Sequence, residues 1–446
     1  MKRLITLAIM VAFILGGAGM VKAAEISISG GDMRVHGNFV TNPNFESDFD
    51  DDKFNLYQRF RTGFNFVANE NLKGFVQIQY GDNRWGEQGF QQGAVNNVQF
   101  RQAYLDFMIP DTEVQVKAGH QWWVLPNTLG SHIFDSRAPA LTVHSPINDM
   151  VGVTVGYSRS SDESTRVFDN RRNDFTGSKD EIDHFFAIVP VTMDGFELNP
   201  FVHYARIGKY EGLTDGQGNI ATITSTGNEK SMNAYWLGLN ATVDMFDPIV
   251  VHADFNYGAV SKPASGLRGD KGWIANLAVD YNMDMMTPQV FVLYESGESR
   301  SSVDADRTGK VMPTLGGELN FTSFAFAGSE FGGTASSQFP FGVAGATGKW
   351  ALGGKLQDIS FINEDVTHEF QVAYYQGTNH SDHRDLGLFT TKDSMWEVNF
   401  NTKYQMYENL AAIAEFGYLA PSLDEDNDDR FDDNSFKAAA GFRYRF

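Results

Sequence analysis

The sequence predicts an all-β chain that closes into a transmembrane antiparallel β-barrel of 18 strands, and three observations predict it. Apolar and polar residues alternate with a period of two, in segments of about ten residues that recur to the C-terminus. Past the N-terminus no stretch is continuously apolar enough for a membrane helix. The connections between segments alternate between short and long.

The alternation is plainest in three places. Trp273, Ala275, Leu277, Val279 and Tyr281 share one face, with Asn276, Asp280 and Asn282 on the other. Trp396, Val398, Phe400 and Tyr404 interleave with Glu397, Asn399, Asn401 and Lys403, and Phe436 to Phe446 repeat the pattern against Lys437, Arg443 and Arg445. A soluble sandwich alternates too, so the solvent of the apolar face is argued from the connections and the aromatics. Short turns such as Asn69-Glu70-Asn71, Pro110-Asp111-Thr112 and Asp194-Gly195 interleave with long polar loops, the asymmetry of outer-membrane barrels. Tyr257, Tyr281, Tyr294, Tyr404, Tyr418 and Tyr444 lie near segment ends, where amphipathic rings form an interfacial girdle.

End to end, the strands read near 26–40, 56–68, 72–84, 97–109, 113–122, 139–147, 150–160, 182–193, 196–207, 231–244, 248–260, 272–284, 287–298, 345–359, 366–377, 394–406, 410–419 and 434–446. The segment at 139–147 is the least regular, and losing it with a neighbour gives the alternative of 16. An even number lets both ends finish on one side, and closure removes edges that lipid does not tolerate.

Lys2 and Arg3 precede an apolar run from Leu4 to Leu15 and then Val21-Lys22-Ala23. This reads as a cleaved signal peptide, residues 1–23, leaving 24–446 as one domain. The 446 residues include no Cys, 44 Gly, 37 Phe and 16 Tyr, with formal net charge −21. Absence of cysteine removes disulfides, thiolate metal sites and thiol nucleophiles together. A negative balance argues against nucleic acid, whose phosphates need clustered Lys and Arg.

The order Asp32-Met33-Arg34-Val35, Gln58-Arg59-Phe60-Arg61-Thr62-Gly63-Phe64, Leu72-Lys73-Gly74-Phe75, Arg101-Gln102-Ala103-Tyr104 and Lys117-Ala118-Gly119-His120-Gln121 resembles the start of trimeric general outer-membrane porins, most of all the homotrimeric porins of sulfate-reducing bacteria. The resemblance implies a passive water-filled channel in the bacterial outer membrane for small hydrophilic solutes, and a loop after the fifth strand folded into the lumen. The matching segment is Trp123 to Ala138, without the family's Pro-Glu-Phe-Gly-Gly turn. The resemblance assigns Arg34, Arg59, Arg61 and Lys117 to the basic side of the constriction. It also implies a homotrimer latched by loop Trp85–Asn96, and Gly37 and Gly63 read as small outer-face residues that let barrels approach.

Read without the family, Phe60, Thr62, Phe64 and Phe66 oppose Arg59, Arg61 and Asn65. Arg34, His36 and Asn38 oppose Val35 and Phe39, and Gln115, Lys117 and Gln121 oppose Val114, Val116 and Ala118. Three early strands thus send cations into what a membrane barrel makes a water-filled lumen. With the loop inserted as the resemblance implies, Asp135, beside Arg137, is the expected negative side of a transverse field that gives a weak anion preference. On the same reading Leu277→Arg is costly and Asn276→Arg nearly silent.

The acidic runs Asp48–Asp52 and Asp424–Asp433 read as solvated loop tips, with loosely bound Ca²⁺ or Mg²⁺ bridging to lipopolysaccharide as the sharper alternative. Counting from Asp424, an EF-hand would need Gly at Asp429 and Glu at Ser435. His380 and His383, near Asp382 and Asp385, read as exposed loop histidines. No other cofactor is implied, and the chain is expected not to be an enzyme. Partners are a second and third copy, outer-membrane lipid and lipopolysaccharide, and small solutes. Rival readings are a substrate-specific oxyanion or sugar channel, an adhesin using loops 208–230 and 299–341, and a hydrolase barrel.

Overall fold

The structure is a computed structural model that describes residues 25–43, 45, 52–86, 98–161, 167–169, 174–176, 181–207, 212–214, 220–224, 232–261, 271–300, 310–315, 319–326, 328–332, 347–361, 363–386, 388–424 and 433–446. The segment read as a signal peptide, most of loop Trp85–Asn96, most of loop 208–230 and most of both acidic runs lie outside the described residues.

Eighteen antiparallel staves form the wall: β1 (Glu25–Val40), β2 (Lys53–Asn69), β3 (Leu72–Arg84), β4 (Val98–Met108), β5 (Gln115–Val124), β6 (Asp135–Pro146), β7 (Gly152–Ser161), β8 (Ile182–Ile188 and Val191–Met193), β9 (Phe196–Ile207), β10 (Met232–Phe246), β11 (Ile249–Ser261), β12 (Lys271–Tyr281), β13 (Thr287–Glu295), β14 (Lys349–Ile359), β15 (Val366–Gly377), β16 (Ser394–Tyr407), β17 (Leu410–Ser422) and β18 (Ser435–Arg445). Each stave pairs with its neighbour in sequence, and β1 pairs with β18 from Asp32↔Arg445 to Val40↔Lys437, so the sheet closes. The sixth stave is the main departure from the expected bounds, because it starts at Asp135 and the alternative of 16 falls away. Within β8, Pro190 has no N–H to give, yet the ladder persists because its carbonyl accepts from Gly152 N at 3.0 Å.

Short turns gather at one end, with both ends of the wall, and long loops at the other. Phe66, Leu105, Leu141, Val202, Leu237, Leu277, Val290, Leu352, Phe400 and Phe442 point outward and are exposed. Such a surface is stable only against lipid. Tyr294 and Tyr418 border this belt near the loop end, and Tyr281, Tyr404 and Tyr444 border it near the turn end. Leu277→Arg should therefore cost about 2–4 kcal/mol of folding free energy in lipid vesicles. Equal unfolding of Leu277→Arg and Leu277→Ala would contradict the outward placement.

The lumen differs from the water-filled tube expected from parity. Asn276 faces inward, but it is buried opposite Asp254 on β11, so Asn276→Arg has no wet space to enter. A hydrophobic cluster fills much of the interior, including Trp123, Phe186, Phe201, Trp236, Phe291, Phe321, Phe326 and Tyr375. Inward glycines make that packing possible. A Cβ at Gly238 would stand 2.0 Å from the Phe201 ring directly across the ladder, and one at Gly156 would stand 2.1 Å from Phe186. Gly37 faces outward as expected, whereas Gly63 shares the lumen phase of Arg59 and Arg61 and lies under the Phe75 ring.

Candidate functional site

Two loops cross the interior. The loop between β5 and β6 is only residues 125–134, because both flanks of the expected Trp123–Ala138 segment are strand. Its neck closes through Leu125 N to Phe134 O at 3.2 Å, and Phe134 stacks on Trp123 at 3.9 Å. Its tip is tied to the β11 wall: Thr128 N donates to Asp254 at 2.8 Å, and Asn256 donates to Asn127 at 2.7 Å. Within it, burial and then the nearby Lys349 charge push His132 down to about 3, so this ring is neutral.

The larger crossing is made by the loop between β13 and β14, part of which the adhesin reading would place outside as a binding surface. Its described segments, 310–315, 319–326 and 328–332, form a strap inside the barrel. Leu315 N and Asn320 N donate to Ile133 O and Leu129 O of the shorter loop, and Trp236 Nε1 donates to Pro313 O at 2.7 Å. The strap then reaches the opposite wall. Glu397 on β16 accepts from Thr322 Oγ1 at 2.6 Å, Phe324 N at 3.1 Å and Ala325 N at 3.2 Å. Lys437 donates to Ser323 O and pairs with Glu415, which accepts from Ser329 Oγ and Glu330 N. Beyond these, Phe331 stacks on His36 at 4.4 Å, and Gly332 lies against the Arg34 guanidinium.

The polar part of the lumen centres on β18 and β1 to β4. Arg34 stands directly across from Arg59 on one side and Arg443 on the other. Asp32 accepts from Arg59 Nη2 and Arg443 Nε, each at 2.6 Å. The Gln79 side-chain oxygen gathers Arg61 at 2.7 Å and Arg101 at 2.7 Å. Glu330 on the strap accepts from Arg443 and, at 3.0 Å, from Arg445. Lys403, Arg443, Arg445 and Glu330 border a cleft of about 110 Å³ toward the turn end.

Of the expected constriction residues, Arg34, Arg59 and Arg61 come together in the lumen. Lys117 also faces inward but sits beside Asp106, apart from the arginines. Asp135 and Arg137 do not line the passage. They lie within β6 opposite Val124 and Trp122, in the outward phase, and Asp135 accepts from Trp122 Nε1 at 2.6 Å. The correction has a simple cause: the flanking strands run to Val124 and from Asp135, so these two residues belong to the wall. Arg101, Arg443, Arg445 and Glu330 were missed. The alternation already put Arg443 and Arg445 on the charged face, and the run Glu330-Phe331-Gly332-Gly333 repeats the last four residues of the motif absent from the earlier loop, with Ser329 in place of its Pro. His383 is no exposed loop histidine either: it is buried and held by Ser299 O at 2.8 Å.

No protein-family model matches the chain, and no curated protein matches it. Solved structures do. OpdO of Pseudomonas aeruginosa superposes with a TM-score of 0.56 at 9% identity, covering 95% of this chain and 97% of that one. OccK11 (OpdR) of the same organism gives 0.53 at 10%, over 96% and 99%. The outer membrane protein OprD from Pseudomonas aeruginosa gives 0.53 at 13%, over 96% of each chain. The chain thus has the fold of bacterial outer-membrane barrels, and its apolar exterior fits it to that membrane.

Proposed function

We propose that the barrel is a passive diffusion channel, a porin, for small hydrophilic solutes and ions, with a weak anion preference. The observation that carries this reading is the arginine wall, in which Arg59 and Arg443 bond Asp32, Arg34 stands between them, and Arg61 and Arg101 meet on Gln79. Charges farther from the ion path than about 8–10 Å are screened, so the acidic total of −21 counts for little there. Low-dielectric walls focus the field of the near charges, and rings of Arg and Lys favour anions. Glu330 and Asp32 take the negative role expected of Asp135. Reversal potentials under a KCl gradient should report anion selectivity for the parent and a shift toward cations for Arg59→Ala with Arg61→Ala. A cation-selective parent, or no shift, would sink the preference.

The cleft between Glu330 and Lys403, Arg443 and Arg445 favours a second reading, a channel selective for small oxyanions. Saturable block of chloride current by phosphate or sulfate would support it. The sugar alternative gains nothing from the interior rings Phe321, Phe324 and Phe326, which are packed in the core. The channel reading includes export by the cleaved segment 1–23 and no catalytic activity. Assembly as a homotrimer rests on the porin-like motif order and on the outward Gly37. Native mass in mild detergent should equal three chains, and a mass of one chain would count against it. The kinship to porins of sulfate-reducing bacteria rests on the motif order alone.

A further inference from the structure

The outer wall carries a charged step that conduction does not use. Across β7 to β10 an aromatic row runs Tyr157, Phe185, Tyr204 and Tyr235, each directly opposite the next, with ring centroids 5.2 Å apart for the first pair and 6.1 Å for the second. Every member is exposed on the outside. Two residues nearer the long loops, on the same outward phase, runs a second row: Arg159, Asp183, Arg206 and Asn233. Arg159 grips Asp183 through Nε at 2.8 Å and Nη2 at 3.0 Å, and Tyr157 and Tyr204 donate upward to Asp183 and Asn233 at 2.7 and 2.8 Å. Arg137 of β6 lies outward on the adjoining strand, near the same end.

On β15 to β17 the same level is uncharged, and on β12 it carries Lys271. Above Tyr374 and Trp396, on β15 and β16, the next outward step is Gln376, Ser394 and Ser422. Arg137, Arg159 and Arg206 are therefore grouped on β6–β9. Aromatic girdles mark the boundary of the hydrocarbon, and two residues of strand add about 6.6 Å. That places the guanidiniums in the headgroup layer of the leaflet facing the long loops. Arg159 and Arg206 lie two strands apart, about 10 Å, with Asp183 between them offsetting the repulsion of the like charges. Guanidinium prefers planar, bidentate contact with phosphate oxygens.

We propose that the outer face of β6–β9 binds the phosphorylated headgroup of an outer-leaflet glycolipid. Arg159 and Arg206 grip the phosphate, Arg137 adds charge, Asp183 competes with the phosphate for Arg159, and acyl chains lie along Tyr157, Phe185 and Tyr204. The inference rests on the barrel standing in lipid and is independent of whether it conducts.

The test uses the full chain in mild detergent with diphosphorylated lipid A as probe, retention being read by native mass spectrometry. Arg159→Gln with Arg206→Gln should lower retention about tenfold, the loss of one to two charge-assisted hydrogen bonds. Lys271→Gln, an outward cation on β12, should leave it unchanged. Asp183→Asn, which removes the carboxylate competing with phosphate, should raise it. Equal retention in the double variant, an equal loss in Lys271→Gln, or a loss in Asp183→Asn would overturn the proposal. Folding is checked by heat-dependent gel mobility, and if the double variant fails to fold, the opposite shifts expected of Asp183→Asn and Arg206→Gln alone decide. Conductance of the folded variants should match the parent, so a failed channel reading is distinguishable from a failed lipid site.

Discussion

Glu397→Ala should free the strap from the wall and raise single-channel conductance, because one buried carboxylate collects three of its polar contacts there. Besides Thr322, Phe324 and Ala325, Glu397 accepts from Tyr375 at 2.9 Å and Asn399 at 2.6 Å. Each buried donor left without an acceptor costs about 1–3 kcal/mol, and every 1.4 kcal/mol shifts the docked-to-undocked ratio about tenfold. Undocking returns those donors to water, so the open arrangement gains what the docked one loses. Glu397→Gln retains one acceptor oxygen and should fall between. The check is the conductance histogram of the three proteins under the same salt. An unchanged histogram for Glu397→Ala would mean that the apolar packing of Phe321, Phe324 and Phe326, with the contacts to Glu415 and Lys437, suffices to hold the strap.

The second large effect belongs to the neck of the same loop. Glu295 closes β13 and Lys349 opens β14, and their side chains meet at 2.9 Å, both inaccessible to solvent. The other Glu295 oxygen accepts from Gly348 N at 2.9 Å, and nearby Glu298 accepts from Lys310 N at 2.9 Å. Removing one member of a buried pair leaves an uncompensated charge and costs about 3–5 kcal/mol, whereas replacing both by apolar residues of similar volume is often neutral or stabilising. Glu295→Ala should therefore lower the denaturant midpoint clearly, and Glu295→Leu with Lys349→Met should recover most of the loss. Equal destabilisation by the single and double variants would show that packing, not charge, sets the cost.

The wall was legible in the sequence because its rule is local. Alternation needs only the next few residues, and it located all 18 staves, with the early start of β6 hidden by Pro139 and by the charged Asp135 and Arg137. The same rule put Arg34, Arg59, Arg61, Glu397 and Arg443 inside. It cannot say whether the inside is wet. That depends on which loop returns through the lumen, a contact between residues far apart in the chain such as Ser323 with Lys437 or Glu330 with Arg443. Family analogy supplied the wrong loop: the shorter crossing exists, but it docks on β11, while the strap that faces the arginines comes from between β13 and β14. The inward glycines carried a hint, since a narrow water-filled tube has no need to lay Phe201 over Gly238.

The central claim is that a solute path survives beside the strap along the arginine wall. Single-channel recording of the full-length protein, with neutral solutes of increasing size added to the bath, tests it most directly. The account predicts discrete conductance steps that small solutes reduce by entering and larger ones leave unchanged, with a higher size cut-off in Glu397→Ala. A correctly folded barrel that inserts and gives no steps, in the parent and in Glu397→Ala alike, would contradict it.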